Sequence, residues 1–134
     1  MSIRYTKGYR YQLAQDYKVP VPLRHLHNIQ TKWFMLTTNG MLHINEGYAW
    51  DGPTGGIDTK DFMRGSLVHD VLYQMMGKKL LPLHWRKVCD QILQNICRED
   101  GMSWIRAQWV YRAVRLNGKV HPNPEGTREV RTAP

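Results

Sequence analysis

The apolar residues of this chain change their spacing part-way along, from every second position to every third or fourth. Side chains return to one face every two residues in a strand and every 3.6 in a helix, so the change divides the chain into a strand-forming and a helix-forming half. Before the change, Tyr9, Tyr11 and Leu13 alternate with Arg10 and Gln12. Pro20 and Pro22 then set an extended loop. Trp33–Thr37 and Met41–Ile44 flank Thr38-Asn39-Gly40, which predicts a hairpin with Asn-Gly in a type I′ turn. Gly47 to Gly56 holds four glycines and a proline, which predicts a loop whose backbone comes close to another group.

After the loop, Phe62, Leu67, Val68, Val71, Leu72 and Met75 form one stripe, predicting a helix from about Thr59 to Met76 stopped at Gly77. Pro82 suits a first turn, and Trp85, Val88, Cys89, Ile92, Leu93 and Ile96 carry a second helix to about Asp100. Ser103 caps a third helix with Trp104, Ile105, Trp109 and Val114, ending near Asn117-Gly118. The expected class is α+β: a small antiparallel sheet before residue 47, then three helices. The short Gly77–Leu81 turn makes the first two helices an antiparallel pair.

A length of 134 residues fits one domain, expected over 1–118, with the Pro-, Gly- and charge-rich 119–134 as an extended arm. No apolar run approaches the ~18 residues of a membrane-spanning helix. The opening residues lack an apolar h-region, so no signal peptide is expected. Cys89 and Cys97 lie eight positions apart on one helix, a rise of about 12 Å that an intramolecular disulfide does not bridge. Nineteen Lys and Arg against eleven Asp and Glu leave a net charge of +8, which calls for an anionic neighbour.

The chemistry-bearing segment is Val68-His69-Asp70-x-x-Tyr73. Four residues apart, His69 and Tyr73 share a helix face, while Asp70 is turned by about 100°. Asp90, on the next helix, borders the apolar Cys89 and Leu93, where a carboxylate needs a partner, and His69 is within reach. A His–Asp pair serves as a general base, the acid fixing the tautomer and stabilising the imidazolium. Asp70 is then available to a hard cation, with carbonyls of the Trp50–Gly56 loop completing an oxygen shell. The same His-Asp dipeptide also occurs as a purely structural element of helices, and that alternative stays open here.

At these positions, Gly47-Tyr48-x-Trp50-Asp51-Gly52-Pro53-Thr54, Val68-His69-Asp70-x-x-Tyr73 and Asp90, the chain resembles an uncharacterised family of small tailed-phage proteins. The order of motifs also resembles phospholipase A(2) domains, above all the disulfide-free domain of parvovirus capsid proteins. The resemblance spans about Gly47 to Gly118. It implies that His69 deprotonates the attacking water, Asp90 orients His69 and Tyr73 hydrogen-bonds Asp90. It further implies that Asp70 binds Ca²⁺ with loop carbonyls at Gly52, Thr54 and Gly56. The loop departs from the phospholipase pattern in reading Asp-Gly-Pro-Thr-Gly-Gly, and Asp51 has no counterpart there.

Two functions follow as expectations. One is a bacteriophage protein of the virion or tail that hydrolyses phospholipid esters with calcium; the other is a non-catalytic tail or connector component that keeps the helix pair as scaffold. Either would place it in the phage particle or the host cytoplasm, among other virion proteins. Arg86, Lys87, Arg106, Arg112 and Arg115 form a basic set suited to an acidic protein partner, then to anionic phospholipid, then to nucleic acid. Trp104 and Trp109 are expected first as core or interface anchors. His25-x-His27 lacks a third ligand and reads as two surface histidines.

Overall fold

The computed structural model describes residues 3, 5–6, 11–24, 27–52 and 59–120. It divides into two compact units meeting in sequence between Asp51 and Gly52. Among its described residues the first holds seven short strands: β1 (Tyr5–Thr6), β2 (Tyr11–Leu13), β3 (Tyr17–Pro20), β4 (Ile29–Gln30), β5 (Phe34–Leu36), β6 (Met41–Ile44) and β7 (Ala49–Trp50). The second holds α1 (Lys60–Gly77), a 3₁₀ turn at Leu83–Trp85, α2 (Arg86–Glu99) and α3 (Trp104–Asn117). The α+β class and the three helices are as the periodicity requires.

The strands form two antiparallel sheets where one was expected, in the orders β1-β2-β7 and β3-β6-β5-β4. Two segments read as loop are strands. Tyr17–Pro20 pairs with β6, Tyr17 facing Ile44 and Pro20 facing Met41 at the sheet edge; an edge strand tolerates the proline, which has no N–H to donate. Ala49–Trp50 pairs with β2, Tyr11 facing Trp50. Tyr48 and Trp50 are buried there, with the Trp50 ring centroid 5.7 Å from Tyr11 and the Tyr48 ring edge-on to Phe34 at 6.3 Å. The glycines of this segment therefore bound a two-residue strand that carries core aromatics.

The β5–β6 hairpin is present with Leu36 facing Leu42, but its turn differs from type I′. Gly40 takes a φ of +91° and Asn39 does not adopt positive φ, so the connection is a three-residue loop closed by Gly40 N–H donating to the Thr37 carbonyl at 3.0 Å. A second constraint fixes the glycine: a Cβ at position 40 would sit 2.5 Å from the Val21 carbonyl oxygen.

The ends of the helices follow from capping. α1 runs through Gly77, and its chain reversal falls on Lys79, at φ +62°. Leu80 N–H reaches the Met75 carbonyl and Lys79 N–H the Met76 carbonyl, the paired bonds of a Schellman turn. α2 closes the same way on Gly101, bringing Met102 into a buried cluster with Phe62, Leu93, Cys97, Ala107 and Val110. Ser103 caps α3, its Oγ accepting from Arg106 N–H.

α1 and α2 are antiparallel. Near the start of α1, buried Arg64 donates to Asp100 and Glu99 at the end of α2, at 3.0 and 2.7 Å. Gly65 lets the helices approach closely, since a Cβ there would lie 2.9 Å from Leu93 Cδ1 and 3.0 Å from Cys97 Sγ. Further along α1, Tyr73 Oη accepts from Arg86 Nε at the start of α2. No helix among the described residues is long and apolar enough to cross a membrane.

Candidate functional site

Three helices bring polar side chains onto one carboxylate. Asp90 of α2 is fully buried, and both its oxygens are engaged. His69 Nε2 lies 2.7 Å from Oδ1, Tyr73 Oη donates to the same oxygen at 2.6 Å, and Arg115 Nη1 of α3 donates to Oδ2 at 2.8 Å. His69 and Tyr73 share a face of α1 four residues apart, with ring centroids 4.1 Å from one another. Opposite them, Asp90 is placed by the buried Cys89 and Leu93 on either side of it.

The electrostatics follow from this packing. Burial pushes the Asp90 carboxyl upward, but the hydrogen bonds from His69, Tyr73 and Arg115 outweigh it and hold its pKa below the usual value. Asp90 is therefore a carboxylate. Burial first, and then the bond to Asp90, raise the Tyr73 phenol above its ordinary value, so it remains a proton donor. An ionised carboxylate only accepts, so His69 Nε2 carries a hydrogen, and in the neutral imidazole the lone pair then lies on Nδ1. The His69 side chain keeps 14% exposure while Asp90 has none, so the imidazole is the member of the pair that solvent reaches.

The sequence-level triad His69, Tyr73 and Asp90 is thus brought together. Two arginines of the expected basic surface belong to the same network. Arg115 binds Asp90; Arg86 binds Tyr73 through Nε, and through Nη2 it donates to the carbonyls of Val114, Arg115 and Gly118 at 3.0, 3.2 and 2.6 Å. Those acceptors are carbonyls of the last turn of α3 and its cap, where Val114 also accepts the Gly118 N–H, and a guanidinium at a helix C-terminus suits them. Arg106 is tied to Asp61 at 3.0 Å. Lys87 and Arg112 are the two of the five that stand exposed. The sequence holds no signal that separates Arg115 from an arginine that faces water; the need for it, a donor to the second oxygen of a buried carboxylate, is visible only once Asp90 is placed.

Of the proposed calcium ligands, Asp70 is half-buried on α1 and Gly52 has a φ of +84°. Thr54 and Gly56 lie outside the described residues, as does His25. Among the described residues no three His, Cys, Asp or Glu side chains gather as a metal site. Burial pushes the Cys89 and Cys97 thiols up to about 12, which leaves neither as a nucleophile near neutral pH.

Compared with protein-family models, with curated proteins and with solved structures, the chain shows no match.

Proposed function

We propose that this chain is a phage-borne ester hydrolase of phospholipase A(2)-like type, with His69 as general base. The observation that carries the reading is the 2.7 Å contact of a partly solvent-open imidazole with a buried, ionised Asp90. A water at Nδ1 gives up its proton as its oxygen attacks the acyl carbon, and Asp90 stabilises the imidazolium. His69 then returns the proton to the departing alkoxide, leaving a fatty acid and a lysophospholipid. Tyr73 and Arg115 act on Asp90, holding its two oxygens in place. Calcium bound beside Asp70 would supply the positive charge that polarises the ester carbonyl. The phage assignment and the phospholipid substrate rest on the resemblance of the Trp50–Thr54 and His69–Tyr73 motifs.

One observation favours the scaffold reading as well: the bonds to Asp90 also fasten α1, α2 and α3 to one another. Fatty-acid release from phosphatidylglycerol vesicles separates the two. The hydrolase releases fatty acid with calcium and stops with chelator; His69→Ala, still folded by circular dichroism at the assay temperature, lowers the rate at least ~100-fold, the scale of general-base catalysis. Asp70→Asn weakens the response to calcium. Wild-type release no faster than that of His69→Ala would leave the scaffold reading.

A further inference from the structure

The inner face of α3 is accounted for: Ala107 and Val110 are buried and Arg115 holds Asp90. Its outer face is not. Ile105, Trp109 and Leu116 are 66%, 69% and 83% exposed, and Trp104 beside them is 63% exposed, so of the two expected roles, core or interface anchor, the tryptophans do not fill the core one. At 100° per residue, Ile105, Trp109 and Leu116 fall within an arc of about 40°, roughly opposite the buried positions. Exposed Arg112 lies along the same stripe, and α3 contains no acidic residue in its 14 positions.

We propose that this face of α3 docks onto an anionic phospholipid surface. A stripe of Ile, Trp and Leu with a cationic side chain and no carboxylate is what a helix needs to lie in the interfacial plane. Tryptophan favours that depth, and anionic head groups meet the +8 charge of the chain. Arg112 argues against a second copy as the occupant. Paired stripes would bury two guanidinium groups face to face, whereas at a bilayer Arg112 extends along the stripe to the head groups. Docking needs no chemistry at His69, so it stands or falls apart from the hydrolytic reading.

The test uses the whole 134-residue chain carrying His69→Ala, so that vesicles stay intact, with co-sedimentation and tryptophan emission as readouts. Vesicles containing phosphatidylglycerol bind it and shift the emission to shorter wavelength; vesicles of phosphatidylcholine alone bind at least ~10-fold more weakly. Ile105→Gln with Trp109→Gln lowers binding to the anionic vesicles at least ~10-fold with an unchanged melting temperature, and Arg112→Glu weakens it too. Absence of binding to anionic vesicles, or binding that the double variant leaves intact, overturns the proposal. So does a lipid-free dimer, seen by sedimentation equilibrium, that the double variant dissolves. Binding by a wild type that releases no fatty acid supports the docking and counts against the hydrolase.

Discussion

Asp90 receives donors from three side chains: an imidazole N–H, a phenol and a guanidinium. Asparagine at this position keeps one acceptor oxygen and turns an NH₂ toward a donor. Asp90→Asn is therefore expected to destabilise the fold by about 3 kcal/mol, the cost of breaking a buried charge pair, in urea or thermal melts. Its pH dependence has a definite sign. Because the folded pKa is depressed, Asp90 contributes its full stability above the unfolded value near ~3.9 and loses it as pH falls through the folded pKa. The wild type should lose stability as pH drops below ~4, and this component should vanish in Asp90→Asn. The His69–Tyr73–Asp90 grouping was legible because two of its members share a helix face and the third is a carboxylate on an apolar stripe. Arg86 and Arg115 were not, since an arginine that reaches inward from a helix flank has the same sequence signature as one that faces water.

At the scale of elements, periodicity located α1 and α3 to within a residue or two, while the second helix, expected from Pro82, begins only at Arg86 after the 3₁₀ turn Leu83–Trp85; capping explains the ends. Gly101 and Ser103 were readable as stop and start because each works through local geometry. Lys79 was not, since lysine pays for a left-handed conformation that Gly77 was expected to take. The edge strand β3 and the short β7 escaped because prolines and glycines mask strand pattern, while pairing across 21 to 39 positions leaves no local trace. The outward tryptophans escaped because α3 is apolar on two faces, and spacing alone does not say which of them is buried. Gly65 carries an element-scale prediction. Alanine gains about 1 kcal/mol of helix propensity, but its Cβ would press on Leu93 and Cys97, both buried, and lie 3.3 Å from the Leu93 carbonyl. Gly65→Ala should be net destabilising by about 1 kcal/mol in a denaturant melt, because the α1–α2 crossing must widen.

Across the whole chain, the two units have different physical bases. The strand unit is held by short antiparallel ladders and buried aromatics; the helical unit is held by an apolar cluster and by polar contacts at both ends of the α1–α2 pair. Both bases are free of disulfides, and the two cysteines are buried as apolar side chains. The contacts of His69, Tyr73 and Arg115 converge on Asp90, and the proposed chemistry turns on the same carboxylate holding His69 with its Nδ1 lone pair free. Long-range proton–nitrogen correlation of the histidine side chains, at about pH 8.5 where an imidazole is neutral, reads this directly. The expected result is a single His69 tautomer, with Nε2 protonated and Nδ1 bare, that gives way to a mixture in Asp90→Asn. A proton on Nδ1, or a wild-type mixture of tautomers like that of an exposed histidine, would contradict it.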